Sequence, residues 1–210
     1  SQRGAPSSPA LRPAYQGSNP ISDVWALAAL EMVGNSILPA VLDSEDMDAR
    51  TNMAMAATFA GVGFGNAGVH LPHGMSYPVS GLVKTYRPEG YPEGKAIVPH
   101  GMAVILNAPA VFRYTASSNP ERHMRAAQLL GADVTGAGPE DAGDLIAERL
   151  IDILKQIGVP NGLGGVGYTV DDVPALVEGT LPQHRVTKLA PRPTGALELT
   201  QLFTDSMQLW

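Results

Sequence analysis

From Pro20 onward the apolar side chains recur at helical spacing, and no stretch alternates at period two. Ile21, Val24, Trp25, Ala28 and Met32 mark one face of a first helix. Asn19 stands at its N-cap, Pro20 in its first turn, and Asp23 near its positive start. A second helix is predicted from the region of Asp43 to Glu45, through Met47, Ala54, Ala57, Thr58 and Gly61. So many small residues predict close contact with neighbours on several sides. The apolar run Met102 to Thr115 predicts a helix kinked at Pro109. Asn119-Pro120-Glu121 opens another, which Gly131 ends. The clearest amphipathic stripe is Ala142, Leu145, Ile146, Ile153, Leu154 and Ile157, within Pro139 to Ile157, and Gly158 and Pro160 stop it. Thr169-x-x-Asp172 predicts a cap for a short helix to Glu178. Thr194 is predicted to cap a last helix bearing Leu199, Leu202, Phe203, Met207 and Trp210. The expected fold class is therefore all-α, with residues 1–18 a Pro/Ser-rich lead-in and 19–210 the helical part.

Composition narrows the function classes. At 210 residues the chain can bury a substantial core in one domain or at most two. A net charge of −6, with only 14 scattered Lys and Arg, argues against nucleic acid as a partner. With no cysteine there is no disulfide framework, no thiolate zinc site and no cysteine nucleophile. No membrane partner is expected. The most tempting window, Met53 to Val69, is rich in Ala and Gly, and Asn66 and His70 interrupt it. The first residues carry no apolar signal-peptide core. The missing initiator Met fits processing, cloning or excision from a longer protein.

Candidate chemistry centres on two His-Gly pairs, Pro72-His73-Gly74-Met75 and Pro99-His100-Gly101-Met102, with His70 three residues before His73. Imidazole is the commonest protein ligand for divalent transition metals, so two of them at fixed positions make half a site. On a helix His70 and His73 would face one side. No histidine has Asp or Glu four residues before it, and His123 and His184 lie in charged, surface-like contexts. Two glycine patterns, Gly63-x-Gly65-x-x-Gly68 and Gly162-x-Gly164-x-x-Gly167, match the letters of a dinucleotide fingerprint. Neither follows a strand, so both are assigned to packing and turns.

The stretch Phe59-Ala60-Gly61-Val62-Gly63-Phe64-Gly65-Asn66-Ala67-Gly68-Val69-His70-Leu71-Pro72-His73-Gly74-Met75-Ser76-Tyr77-Pro78 resembles the iron-containing alcohol dehydrogenases, and most closely their hydroxyacid–oxoacid transhydrogenase branch. So do Arg12 to Asp23, Thr180 to Pro191 and the terminal helix, so the similarity runs over nearly the whole chain from Arg12. The resemblance implies the multi-helix C-terminal domain of the iron-alcohol-dehydrogenase and dehydroquinate-synthase-like type, without the α/β nucleotide-binding domain. It implies Fe²⁺, or Zn²⁺ in its place, as cofactor, with His73 and His100 as two of its ligands. The other two, an Asp-x-x-x-His, and the NAD(P) site would belong to the part that precedes this chain. Tyr77 and His70 depart from the broad family pattern in the direction of this branch, which implies substrate-side roles for both.

For the complete enzyme the resemblance implies oxidation of a hydroxy acid such as 4-hydroxybutyrate, with the hydride passed through NAD to an oxo acid such as 2-oxoglutarate. The metal would lower the pKa of the substrate hydroxyl. The isolated chain is expected to be inactive. Expected partners are the small acids, the N-terminal nucleotide-binding domain and, in a homo-oligomer, a second copy. The expected setting is cytoplasmic, or the mitochondrial matrix in a eukaryote. Two other classes stand beside this one. The chain could be a non-catalytic scaffold or oligomerisation domain retained from such an enzyme. It could also be a metal hydrolase built on His70, His73 and His100, although no carboxylate or general base can be named for it.

Overall fold

The computed structural model describes residues 4–210, and among these there are helices and turns but no strand. Ten α-helices follow in order: α1 Pro20–Leu42, α2 Met47–Ala67, α3 Leu71–Gly81, α4 His100–Ile105, α5 Ala108–Ala116, α6 Pro120–Leu129, α7 Ala142–Gln156, α8 Val173–Thr180, α9 His184–Thr187 and α10 Ala196–Asp205. The caps follow the sequence closely. The Asn19 side chain accepts from the Ser22 N–H, Asn119 from that of Arg122, and the Asp172 carboxylate from that of Thr169. Helix α2 starts a little later than expected, because Asp43 accepts from the Glu45 N–H in the turn and Asp46 becomes the cap.

Three expectations are corrected. Pro109 does not kink a helix: the run breaks before it, at Leu106 and Asn107, and Pro109 opens α5, where its missing N–H costs nothing. The buried Asn107 amide donates to the Ala103 carbonyl at 2.8 Å across that break. Thr194 does not cap α10; Gly195 does, its N–H donating to Glu198 at 2.7 Å, while Thr194 donates to the Arg192 carbonyl. The face of α1 marked by Ile21 and Val24 is not the buried one, since these side chains are 77% and 65% exposed.

What α1 buries instead is a row of small residues, Ser22, Ala29 and Ser36, seven apart. Helix α2 buries Ala49, Ala56 and Gly63, also seven apart. The helices run antiparallel and meet along this seam, and Gly63 lies against the backbone of Ser22 and Ala26. Among the described residues, α1 is the one helix long and apolar enough to cross a bilayer, by length and composition only. That replaces Met53 to Val69 as the window to watch. In this fold α1 packs along α2 and α6, and Asp23 near its start pairs with Arg122 of α6.

Two apolar clusters fill the remainder. One joins α3, α4, α8 and α10 around Leu71, Met75, Leu106, Leu176 and Phe203. The other joins α6 and α7 around Ala127, Leu130, Ile146 and Ile153, with Leu30, Val33 and Ile37 of α1 against it. Helix α5 serves both, through Ala110 and Val111 on one side and Ala108 on the other.

Candidate functional site

Helix α3 is buried nearly all round, and the stripe left partly open is His73, Tyr77 and Ser80, at helical spacing. Leu71, Met75 and Val79 face the core with no exposure, and this fixes the helix's rotation and turns the stripe outward. The long loop after α3 returns to the same face. The Ser80 hydroxyl donates to the Val98 carbonyl at 3.3 Å, two residues before His100, the first residue of α4. The two His-Gly segments thereby converge, with the rings of His73 and His100 5.4 Å apart between centroids and inclined by 61°.

Burial, and then the neighbouring His100, hold the His73 pKa below the ordinary imidazole value. A neutral ring keeps a lone pair for a metal. Two adjacent imidazoles fit as half of a four-coordinate set for Fe²⁺ or Zn²⁺. Among the described residues, no group of three His, Cys, Asp or Glu side chains could complete it.

His70 does not join this pair. It caps α3 with non-helical backbone angles (φ −127°, ψ −136°), so the three-residue spacing does not align it with His73. Its ring turns towards Phe112 (centroids 6.3 Å apart), and His123 meets the same Phe112 at 6.1 Å. The Nδ1 atom of His70 is sealed without a hydrogen-bond partner, and burial pushes the pKa down to about 4. His123 is not the surface residue its context predicts. Its Nδ1–H donates to the Asn119 carbonyl at 2.8 Å, and Nε2 lies 2.9 Å from the Thr115 hydroxyl. Both rings border a cavity of about 460 Å³, which the Asp23–Arg122 pair also lines.

Tyr77, one turn beyond His73, shares its open stripe, and its hydroxyl accepts from Arg185 Nη2 at 3.2 Å. Arg185 Nη1 donates to the Tyr15 hydroxyl at 2.9 Å. Close packing brings these segments together. A Cβ on Gly74 would stand 2.7 Å from Thr187 Cγ2, and Tyr15 lies against Gly68, whose φ of +79° ends α2. No local pattern marks Tyr15 or Arg185, although both sit in segments that carry the resemblance. Most of the pattern glycines have the packing and turn roles assigned to them: Gly63 lies inside α2 against α1, Gly68 ends that helix, and Gly162, at φ +66°, sits under the Met207 carbonyl, while Gly65, also inside α2, meets no neighbour.

The sequence model of the Fe-containing alcohol dehydrogenase family, C-terminal, matches residues 14–207. The chain is 55% identical over 205 residues to the mitochondrial hydroxyacid-oxoacid transhydrogenase of Pongo abelii, covering 98% of this chain and 44% of that protein. It therefore spans less than half the length of that relative. Among solved structures, a 1,3-propanediol oxidoreductase superposes with a TM-score of 0.80 at 28% identity, over 92% of this chain and 48% of the other. A sulfoacetaldehyde reductase from Bifidobacterium kashiwanohense, in complex with NAD+, shares the fold at a TM-score of 0.73 and 22% identity, over 92% and 46%.

Proposed function

The chain belongs to the Fe-containing alcohol dehydrogenase family, and on that premise we propose that it forms the metal-holding helical part of an oxidoreductase moving hydride between a hydroxy acid and an oxo acid. The observation that carries this reading is the convergence of His73 and His100 on the one open stripe of α3. These two imidazoles would hold Fe²⁺ or Zn²⁺ together with ligands from outside the described residues. When bound, such a metal supplies Lewis acidity to a hydroxyl or carbonyl oxygen, and NAD(P) supplies the hydride acceptor.

The chain's own residues orient and enclose. Burial disfavours the protonated form of His73 and leaves its lone pair available to a metal, and the reading gives it the role of ligand. Tyr77 stands one turn along the stripe, where its hydroxyl meets the substrate side. His70 packs against Phe112 and borders the neighbouring cavity, and this reading keeps for it a place on the substrate side. With two ligands the chain alone would neither bind metal tightly nor reduce NAD(P). The relative's name supports a hydroxy acid and an oxo acid as substrates, and a mitochondrial setting in a eukaryote.

The test is titration of the purified chain with Zn²⁺ and Fe²⁺, beside His73→Ala and His100→Ala. Weak binding lost in both variants supports the reading. Equal binding in the variants, or metal-dependent reduction of NAD by the chain alone, overturns it. A second reading, a non-catalytic assembly scaffold, draws on the exposed Ile21, Val24, Met55, Val62 and Phe64 of α1 and α2. A chain that stays monomeric at high concentration counts against it.

A further inference from the structure

The cavity of about 460 Å³ beside His70 is walled by the first turn of α1, the end of α2, the cap of α3, α5 and the start of α6. We propose that it is a binding pocket for a small organic carboxylate, with Arg122 and His70 as the residues that hold the carboxylate oxygens. The inference rests on the hydroxy-acid and oxo-acid reading for its choice of probe. It needs no metal, and neither residue belongs to the His73–His100 pair.

Space comes first. The volume lies within the range of small-molecule sites, about 300–1,000 Å³, which are mostly apolar with a few placed polar groups. Phe64, Val69, Phe112 and Leu189 supply the apolar wall for a short carbon chain. Phe112 meets the rings of both His70 and His123 edge to face, which fixes its side of the pocket.

Unused donors then select the ligand. Arg122 donates from Nη1 to Asp23 Oδ2 at 2.8 Å and from Nη2 to Asp23 Oδ1 at 2.5 Å. Among the described residues nothing else accepts from this guanidinium, so its remaining N–H groups are open to a ligand. Asp23 is the one carboxylate on the wall, and the bonds from Arg122 hold its carboxyl below the usual pKa and match its charge. His123 has no donor to spare, since Nδ1–H goes to the Asn119 carbonyl and Nε2 faces the Thr115 hydroxyl.

His70 differs. Its Nδ1 is sealed without a partner, whereas its Nε2 is neither sealed nor bonded to any described residue. Burial keeps the ring neutral, with a single N–H. A proton on the sealed nitrogen would have nothing to donate to, so the ring carries it on Nε2, the nitrogen left to the cavity. A charged donor and a neutral one on the walls of one pocket suit an anion with two acceptor oxygens.

The experiment compares 4-hydroxybutyrate with 1,4-butanediol, which has a hydroxyl in place of the carboxylate. Both are titrated into the full chain, with a chelator present, by calorimetry and by following the His70 ring resonances. The acid is expected to bind at least tenfold more tightly than the diol and to shift those resonances. His70→Phe keeps a ring without the N–H, and Arg122→Lys keeps the charge opposite Asp23 without the forked donors. Each should weaken acid binding at least tenfold while circular dichroism shows a folded helical chain. Equal affinities for acid and diol, undiminished acid binding in either variant, or no acid binding at all overturns the proposal. The metal reading fails by a different signal, Zn²⁺ affinity that survives His73→Ala.

Discussion

A Cβ built on Gly63 of α2 stands 3.2 Å from the Ser22 carbonyl oxygen of α1, so the two helices meet almost backbone to backbone. The same register pairs Ala56 with Ala29 and Ala49 with Ser36 along the antiparallel seam. A large side chain has no place there. Ala56→Leu, at a position only 1% exposed, is expected to wedge the hairpin open and destabilise the protein by about 1–3 kcal/mol. A lowered urea midpoint checks it.

Gly34 is tighter still. A Cβ there would fall 2.1 Å from the Leu129 carbonyl oxygen, where α1 crosses α6. Gly34→Ala should therefore destabilise clearly, despite the gain of about 1 kcal/mol in helix propensity. Gly63→Ala, at 3.2 Å, should cost less. Equal thermal midpoints for the two variants would refute this ordering.

Tyr168 donates its buried hydroxyl to the Val79 carbonyl at 2.6 Å, satisfying an acceptor in the last turn of α3. Burial raises the phenol pKa to about 12. Tyr168→Phe leaves that carbonyl unpaired and should cost about 1–3 kcal/mol. Chemical denaturation at neutral pH measures it, and an unchanged midpoint would be the contrary result.

His70 predicts an acid-sensitive fold. Its folded pKa, about 4, lies below the ordinary value of 6.5, so the unfolded chain takes up a proton first. Stability is then complete above pH 6.5 and falls as the pH drops towards 4. His123 and the Asp23–Arg122 pair border the same cavity; burial also lowers the His123 pKa and adds to the trend. Because His70 as a whole residue is only partly buried, a loss of about 1–3 kcal/mol is expected. His70→Leu should flatten the dependence of melting temperature on pH over this interval.

Asn161 clasps the end of the described chain. Its side-chain oxygen accepts from the Leu209 N–H at 2.8 Å and the Trp210 N–H at 3.1 Å, and its amide donates to the Trp210 oxygen. Asn161→Ala should release residues 207–210, seen as faster hydrogen exchange at Leu209 and Trp210. Unaltered exchange there would mean that other contacts hold the segment.

The sequence by itself determined α1, α2, α6, α7, α8 and α10, several of their caps and the two His-Gly segments, because periodicity, N-cap chemistry and proline act within a few residues. It also held the seven-residue rows of Ser22, Ala29, Ser36 and Ala49, Ala56, Gly63, a signal masked by the larger Ile21 and Val24. Only the tertiary structure decided which face of α1 is covered, since that depends on what α2 presents. Only it turned His70 away from His73, because a capping residue leaves the helical spiral. And only it brought Tyr15 to Arg185 across 170 residues, a contact made by the close approach of glycine-bearing backbone that no local pattern encodes.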